Sequence, residues 1–333
     1  MHMPSFHALF LGSMLTLSVG MAPLAAQADV PAQVKTQVPG YQRLAVGDYE
    51  VTALFDGYND LGPTLLKGLS QKEIRALLAR KNITSAGVQT AFNAFLINTG
   101  KNLVLVDSGA GKCIGPTAGG LPDAIRAAGY SPEQVDTVLL THMHLDHVCG
   151  LVDDKGAAVF ANAVVYAAQA EADFWLSKEN LAKAHKEAQG YFQIAQHSTA
   201  PYVASGRLKT FAVGQAPLPG VSTVSLAGHT PGSTGYQFSS NGQSILFMGD
   251  IIHSFAVQFA HPEVSIDFDN DSSKAIAARQ KLFTQVAHDN IWVAAAHLPF
   301  PAIGHIHVEG KGFAWVPVEY GPYQRAATVP LLK

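Results

Sequence analysis

The amino-acid sequence predicts a mixed α/β sandwich, in which helices pack outside two β-sheets. Strand-like segments and segments of helical periodicity are interleaved along the chain, and several neighbouring strands are separated by hairpin-length turns. A chain of 333 residues that is 48% hydrophobic and 14% charged can form a sizeable core. Because no linker divides the chain, we expect a single domain over residues 29–333.

The first half of the chain begins with strands and hairpins. Strand 49–55 alternates in hydropathy and ends at Asp56-Gly57, which is a turn signal. The tripeptide 98–100 separates two apolar runs at hairpin spacing, and Gly129 ends a helical segment. The predicted elements are, in order, strand 49–55, helix 71–80, strands 91–97 and 103–106, helix 121–128 and strand 135–140.

The second half combines a long helical region with further strands. We expect the helical region to break near Gly190, and Ser272 is a favourable N-cap for a later alanine-rich helix. The predicted elements are strand 163–167, the mostly helical region 169–196, strands 208–211, 221–226, 235–238 and 244–248, helix 272–287 and strand 291–296.

The first 28 residues differ in composition from the rest. They contain no Asp, Glu, Lys or Arg, and an apolar stretch is followed by Ala26-Gln27-Ala28, an A-x-A cleavage pattern. We therefore expect a secretory signal peptide over residues 1–28 and a protein that is periplasmic or secreted after cleavage at Ala28. An uncleaved membrane anchor is the alternative, although glycines and a proline interrupt the apolar run.

Charge and cysteine content narrow the range of partners. The formal net charge is −3 without a basic cluster, which argues against nucleic-acid binding. After the signal peptide, no stretch is long and apolar enough to cross a bilayer, so no membrane contact is expected.

Export would allow Cys113 and Cys149 to form a disulfide, but the sequence equally permits two free thiols.

Residues 142–147 contain three histidines and one aspartate directly after the predicted strand 135–140. Imidazole and carboxylate groups are the ligands that bind zinc and similar metals. His142 and His144 would project to the same side of an extended segment and could reach one metal ion. Asp146 and His147, in the turn that follows, could face a second ion. A chance run of polar residues at a strand end is the less favoured interpretation.

Three further predicted strands are followed by metal-ligand residues. His229 lies in Gly-His-Thr-Pro-Gly, Asp250 follows a glycine, and His297 comes directly after the last strand. One histidine at a strand end is more often structural than a ligand. Three such strand ends in addition to residues 142–147 indicate a metal centre assembled from several parts of the chain.

The order of these motifs resembles that of the metallo-β-lactamase superfamily: H-x-H-x-D-H, then G-H-T-P-G, G-D and a last histidine. The resemblance implies a four-layer αββα sandwich, with two mixed β-sheets flanked by helices and a dinuclear site between them. It assigns seven ligands: His142, His144 and His229 at one metal, Asp146, His147 and His297 at the other, and Asp250 bridging both. Asp107 would orient a ligand histidine. Zn²⁺ is the expected metal at both positions, and Mn²⁺, Co²⁺ and Fe²⁺ are compatible with the same ligands.

A narrower resemblance concerns the substrate. Residues 170–177, 256–259 and 297–305 resemble methyl parathion hydrolase and its exported bacterial relatives, over about residues 34–318. This resemblance implies a homodimer and an aromatic and aliphatic cup above the metals. The cup residues carried over by position are Ile114, Trp175, Tyr191, Phe192, His253 and Phe268. Core packing is the alternative role for the aromatic residues among them.

The expected reaction is ester-bond hydrolysis of a small molecule by a metal-bridging hydroxide, with Asp146 and Asp250 as catalytic carboxylates. Two metals about 3.5–4 Å apart can generate such a hydroxide near neutral pH. We expect opening of lactones, such as N-acyl homoserine lactones, or cleavage of carboxylic esters, with promiscuous phosphotriesterase activity. Ile114, His253 and Phe268 depart from the residues usual in phosphotriesterase-like relatives, so organophosphate hydrolysis as the main activity is the alternative. An exported metal-binding protein without activity is the non-enzymatic alternative.

Overall fold

Two large β-sheets and their covering helices make up the fold in the computed structural model, which describes residues 30–38, 40–321 and 323. The strands among these residues are β1 (Tyr41–Val46), β2 (Tyr49–Leu61), β3 (Leu66–Lys67), β4 (Val88–Asn98), β5 (Leu103–Val106), β6 (Thr137–Leu139), β7 (Val164–Ala168), β8 (Leu208–Phe211), β9 (Val221–Ser225), β10 (Thr234–Ser240), β11 (Gln243–Phe247), β12 (Ser265–Ile266), β13 (Trp292–Ala294), β14 (Ile303–Glu309) and β15 (Gly312–Pro317). The α-helices are α1 (Gln71–Arg80), α2 (Leu121–Ala127), α3 (Leu145–Val148), α4 (Gln169–Trp175), α5 (Lys178–Lys183), α6 (Lys186–Ala204) and α7 (Ser272–Asp289).

Both large sheets are mixed. The first has the strand order β1-β2-β4-β5-β6-β7-β8, with antiparallel pairing up to β5 and parallel pairing from β5 to β8. The second has the order β15-β14-β13-β11-β10-β9, and only β11 and β13 pair in parallel. A short third sheet pairs β12 with β3. The parallel crossovers through helices give this fold its α/β character.

Side chains alternate between two hydrophobic layers along the strands of the first sheet. Phe95 faces the second sheet, where its ring lies 5.1 Å from that of Phe247. The next residue, Leu96, faces outward and joins a cluster that includes residues of α2 and α6, among them Ile125 and Phe192. Each such buried side chain contributes about 1.5–3 kcal/mol through removal from water.

Helix α7 covers the second sheet. Leu282, Phe283 and Val286 of this helix are buried in the same core as the inner strands, and Phe283 packs edge-on against Phe313 of β15 at 5.4 Å. Helices therefore lie on the outer faces of two stacked sheets, which confirms the predicted αββα sandwich.

The helical region after β7 differs from the prediction. We expected a break near Gly190, but α6 passes through Gly190 and continues to Ala204. The actual breaks lie before α5 and before α6. Ser177 caps α5 by accepting a hydrogen bond from the Asn180 N–H, and the burial of residues such as Phe192 and Tyr202 outweighs the roughly 1 kcal/mol that a glycine costs within a helix.

Strands β1, β14 and β15 were not predicted. β1 and the β14–β15 hairpin form outer edges of the two sheets, where several residues are exposed and the apolar pattern is weak. The unit that holds both sheets begins after Val38, and residues 30–38 contain no helix or strand. The predicted signal peptide lies outside the described residues. No helix in the described part of the chain is both long and apolar enough to span a bilayer.

Candidate metal centre

Four strands end at one edge of the sandwich, and each is followed by predicted ligands. β6 precedes the segment that contains His142, whereas β9, β11 and β13 precede His229, Asp250 and His297. The last three strands point the same way, because β10 is antiparallel to both β9 and β11, and β11 is parallel to β13. Their carboxyl ends therefore meet at one edge, as open α/β sheets commonly arrange their binding residues.

The loop after β5 fixes the start of the histidine segment. Asp107 has a φ of 61°, a left-handed conformation that is uncommon outside glycine, asparagine and aspartate. Its Oδ1 accepts the Thr141 N–H at 2.8 Å, and its Oδ2 accepts the Thr141 hydroxyl and the His147 Nδ1–H, both at 2.8 Å. Gly249 lies so close to this point that a Cβ would come within 2.8 Å of Thr141 Oγ1, so only glycine lets the two strand ends meet.

The first ligand group contains His142, His144, His229 and Asp250, whose ligand atoms all lie within 4.8 Å of one another. His142 Nε2 and His229 Nε2 are 3.2 Å apart. Asp250 Oδ2 lies 3.5 Å from His142 Nε2 and 3.3 Å from His229 Nε2. Three imidazoles and one carboxylate at these separations can surround one metal ion.

The second ligand group contains Asp146, His147, His297 and again Asp250, also within 4.8 Å. His147 Nε2 lies 3.1 Å from Asp250 Oδ1, and His297 Nε2 lies 2.9 Å from Asp250 Oδ2. Asp146 Oδ2 is 3.6 Å and 3.4 Å from the same two nitrogens. Asp250 therefore belongs to both groups, which is the position that the family resemblance implies for a bridging carboxylate.

Most ligand histidines are oriented through the second ring nitrogen. His147 uses Asp107, as predicted, and His229 Nδ1 lies 3.0 Å from Asp269 Oδ1. His297 Nδ1 donates to the Ala91 carbonyl at 2.9 Å, and His142 Nδ1 lies 3.1 Å from the Thr141 hydroxyl. Such partners fix the ring and leave Nε2 free for a metal. The sequence prediction missed Asp269, although three aspartates within residues 267–271 were a usable signal.

Burial lowers the pKa of the ligand histidines, whereas neighbouring carboxylates raise it. Burial lowers the pKa of His144 to about 3. For His147, burial acts in the same direction, but the carboxylates of Asp250 and Asp107 outweigh it and raise the pKa. Likewise, hydrogen bonds to Asp250 and Asp269 outweigh burial and raise the pKa of His229 to about 9. Protons therefore compete with a cation for two of the ligand nitrogens, and metal binding would release them.

The chemistry of the site fits two divalent cations. His147 Nε2 and Asp250 Oδ1 are buried, face each other at 3.1 Å and have no hydrogen-bond partner. Unpartnered buried polar atoms are costly, and a cation bound by both atoms would remove that cost. A set of histidines and aspartates without thiolates suits Zn²⁺ and also Mn²⁺, Co²⁺ or Fe²⁺.

His253 lies within the metal centre rather than at its edge. Its Nε2 is 3.2 Å from Asp250 Oδ2, and its ring stacks on His297 with centroids 4.8 Å apart. Its Nδ1 is buried without a hydrogen-bond partner. Burial lowers the pKa of His253 to about 4, so this ring is neutral near pH 7. The sequence placed His253 only on the substrate wall, and the structure adds contact with the shared carboxylate.

A cavity of about 610 Å³ opens above the ligands. All six predicted substrate-binding residues line it: Ile114, Trp175, Tyr191, Phe192, His253 and Phe268. The Trp175 ring packs edge-on against His144, with centroids 5.3 Å apart, and at a tilt of 48° against Phe192, with centroids 4.7 Å apart. Trp175 and Phe192 therefore belong both to the hydrophobic core and to the cavity wall, whereas Tyr191 remains 37% exposed.

The wall also contains residues that the sequence prediction did not name. β2 contributes Asn59 and Leu61, and β4 contributes Phe92, whose ring lies 5.7 Å from His297. α5 and the start of α6 contribute a further group: Asn180, Lys183, Ala184, His185 and Ala188. No motif marked these residues, because their place in the cavity depends on how α5 and α6 pack.

The two cysteines form a disulfide, Cys113–Cys149. Cys113 precedes the wall residue Ile114, and Cys149 follows the helix that carries Asp146 and His147. The bond therefore joins one wall of the cavity to the segment that supplies two ligands. The sequence had left open whether the two cysteines form a disulfide or remain free thiols, and the structure shows the disulfide.

Comparison with known proteins places this fold and site in a family. The model of the metallo-beta-lactamase superfamily matches residues 90–287, which is more than half of the chain. The chain belongs to the metallo-β-lactamase superfamily. The two His/Asp ligand groups at the end of the αββα sandwich could each hold a metal ion, which fits this family.

Solved structures of other superfamily hydrolases are similar to this chain. The hydrolase AbOPH is 44% identical with a TM-score of 0.83, covering 86% of this chain and 100% of its own. The dizinc quorum-quenching lactonase AidC, solved with the product N-hexnoyl-L-homoserine, is 26% identical with a TM-score of 0.78, covering 85% and 99%. An N-acyl homoserine lactone hydrolase, at 16% identity and a TM-score of 0.56 over 78% and 100%, shares the fold alone.

No curated protein sequence matches this chain. The superfamily model, the hydrolase relatives and the His/Asp site together support a metal-dependent hydrolase. The narrower resemblance to methyl parathion hydrolase stays a prediction.

Proposed function

We propose that this protein is a dinuclear metal hydrolase, with Zn²⁺ as the expected metal, that opens lactones such as N-acyl homoserine lactones or cleaves carboxylic esters. The observation that carries the proposal is the shared carboxylate of Asp250, which joins two ligand groups at the floor of a largely apolar cavity. The similarity to AidC, described as a dizinc lactonase, supports it.

When bound, two metal ions would supply a hydroxide nucleophile near neutral pH and polarise the oxygen of the scissile bond. The protein's own groups then orient the reactants. Asp146 and Asp250 both line the cavity, so their carboxylates can hold the attacking water by hydrogen bonds. The Asp146 side chain is the more exposed of the two, at 15% against 3%, so it is better placed to pass a proton to the leaving oxygen.

The cavity wall favours a substrate with an apolar substituent and a small polar reactive group. Trp175, Tyr191 and Phe192 form an aromatic side, while Leu61 and Ile114 add aliphatic surface. Burial of apolar surface at this wall would provide binding free energy, at about 25 cal/mol per Å². The acyl chain of a lactone or an aryl group of an ester fits this description.

Organophosphate hydrolysis is the second candidate, because the same aromatic side could accept the aryl leaving group of a phosphotriester. We rank it lower as the main activity because His253 and Phe268, with ring centroids 5.9 Å apart, place two bulky rings on the cavity wall. Phosphotriester turnover is then a promiscuous activity.

A substrate comparison tests the proposal. We expect the purified protein to hydrolyse N-acyl homoserine lactones or aryl esters with a higher kcat/KM than methyl parathion, and a chelator to remove all three activities. A kcat/KM far higher for methyl parathion would make organophosphate hydrolysis the main activity. Hydrolysis of none of them, in a protein that retains its metal, would favour a metal-binding protein without this activity.

We also propose that the protein is exported to the periplasm or secreted. The disulfide Cys113–Cys149 supports this location, because oxidising compartments favour such bonds. Fractionation of the producing cell followed by N-terminal sequencing should find the mature protein outside the cytoplasm, starting at Asp29. A mature chain that begins at Met1 in the cytoplasm would contradict it.

A further inference from the structure

A buried glutamate contacts two of the loops that carry metal ligands. Glu171 lies in the first turn of α4 and is 1% exposed. Its Oε1 accepts the Met143 N–H at 2.8 Å, and its Oε2 accepts the Thr230 hydroxyl at 2.7 Å and the Gly232 N–H at 2.8 Å. All three partners are donors, which is the arrangement that an ionised carboxylate requires.

These hydrogen bonds are made next to the histidines of the first ligand group. Met143 lies between His142 and His144, and Thr230 directly follows His229. Glu171 therefore joins the two loops that supply all three histidines of the first group. His297, which follows β13, belongs to the second group, and among the described residues Glu171 makes no hydrogen bond to the His297 loop.

The close approach of helix and loop is built into the backbone. A Cβ on residue 232 would lie 2.2 Å from the backbone nitrogen of Glu171, so only glycine allows the loop to reach the carboxylate. Ser233 extends the network, because its Oγ accepts the Thr230 N–H at 2.9 Å and lies 2.6 Å from the Thr230 hydroxyl. The Thr230 side chain is thus fixed from two sides.

The same helix also contacts the ligands through a side chain one turn later. Trp175, four residues after Glu171, lies on the same side of α4 and packs edge-on against the His144 ring. Helix α4 therefore holds the backbone at Met143 and Gly232 through Glu171, and it contacts the His144 ring through Trp175. Among the described residues, Glu171 is the carboxylate that accepts backbone N–H groups from both loops.

We propose that Glu171 is a positioning residue that holds the His142–His144 loop and the His229 loop at the separation required by one metal ion, and that it acts on this ion and not on the other. The proposal rests on the two-metal site of the proposed function. Glutamine keeps the size of the side chain but offers one carbonyl acceptor and two N–H donors, so one of the two backbone N–H groups would lose its acceptor.

The test is metal affinity rather than activity. Metal-free protein is dialysed against buffered Zn²⁺ at increasing free concentrations, and bound zinc per chain is measured by mass spectrometry. Wild type should bind two ions. Glu171→Gln should bind one of them about 10- to 100-fold more weakly, as is typical when an outer hydrogen-bond partner is removed, and the other ion within about threefold of wild type.

Two backgrounds identify the affected ion. In His297→Ala, which damages the second group, adding Glu171→Gln should weaken the remaining ion. In His229→Ala, which damages the first group, adding Glu171→Gln should leave the remaining ion within about threefold. Thr230→Val removes a single donor to Glu171 and should weaken the same ion by a smaller factor, so the proposal stays testable if Glu171→Gln folds poorly.

Asp136→Asn is the matched control. Asp136 accepts the Leu103 N–H at 2.7 Å and the Thr137 hydroxyl at 2.7 Å at the opposite end of β6, so it resembles Glu171 chemically but lies away from the ligands. Its substitution should leave both affinities within about threefold of wild type. Unchanged affinities in both Glu171→Gln and Thr230→Val, or equal weakening of both ions, would overturn the positioning role. Wild type that binds fewer than two ions would overturn the dinuclear site itself.

Discussion

The cavity has a floor, formed by the metal-ligand residues, and a wall, formed by the other side chains that line it, and the two are built in different ways. On the floor, polar contacts fix most ligand histidines through a second nitrogen, as Asp107 does for His147 and Asp269 for His229. On the wall, ring packing and helix placement hold the side chains, and Tyr191 remains 37% exposed. The difference suggests that the chemistry depends on a closely constrained floor, whereas the substrate range depends on a wall that can change with less effect on the metals.

Removal of the shared carboxylate should have the largest effect. Asp250→Ala takes one ligand from each group and leaves His147, His229 and His297 without their common partner. We expect kcat/KM for a lactone or ester to fall by at least about 10³-fold, equivalent to about 4 kcal/mol. Circular dichroism should show a folded protein. A folded variant with near-wild-type activity would contradict the dinuclear assignment.

Removal of an outer partner on the floor should have an intermediate effect. Asp269→Asn weakens the hydrogen bond to His229 Nδ1 and leaves the seven ligands in place. We expect about 10- to 100-fold weaker binding of one metal, with activity restored by excess metal. A titration of activity against free Zn²⁺ measures the shift. Activity that stays low at saturating Zn²⁺ would mean that Asp269 acts on more than metal affinity.

A change in the wall should affect substrate binding more than the chemical step. Tyr191→Ala removes an aromatic side chain that lines the cavity, with its ring 6.0 Å from that of His144. We expect KM for a long-chain substrate to rise by about tenfold and kcat to stay within about twofold, because the lost contact is largely apolar burial. Steady-state kinetics with short and long acyl chains provide the check. An equal loss of kcat/KM for short and long acyl chains would mean that Tyr191 acts on the chemical step instead.

Loss of the disulfide should have the smallest effect on activity. Ser108 donates to the His147 carbonyl through its N–H at 2.9 Å and its hydroxyl at 2.7 Å, so the ligand segment stays attached without the disulfide. In a Cys113→Ser/Cys149→Ser variant, we expect full metal content and a KM change of about two- to fivefold, because Ile114 lies next to the lost bond.

The stability of the same variant should change more than its activity. The two cysteines lie 36 positions apart in the sequence, and the bond that closes this loop should contribute about 3–4 kcal/mol to the free energy of unfolding. Denaturant titration measures this loss, and metal analysis measures the ions. Loss of a metal ion from the folded double variant would show that floor and wall are not separable.

Local sequence patterns predicted the floor better than the wall. Four of the seven ligands could be recognised because they fall within the short segment 142–147. The order of the motifs then connected this segment to His229, Asp250 and His297. Glu171 and Asp269 were not recognised as outer partners, because each meets its histidine loop only through the packing of distant segments. No local spacing encodes such contacts.

Helix packing explains the remaining differences. The division of residues 169–204 into three helices places Asn180 and Lys183 on the cavity wall, and the expected break at Gly190 was wrong. The outer strands β14 and β15 were not predicted because several of their residues are exposed and interrupt the apolar pattern. The signal peptide over residues 1–28 and the homodimer stay predictions.

The most direct test of the central claim is a titration of metal-free protein with Zn²⁺, in which bound metal and hydrolysis of the best lactone or ester substrate are measured on the same samples. The two groups share Asp250, so both ions are expected to contribute to one reaction centre. We predict that full activity requires the second equivalent of metal. Full activity at one equivalent, or hydrolysis that persists in metal-free protein, would contradict the account.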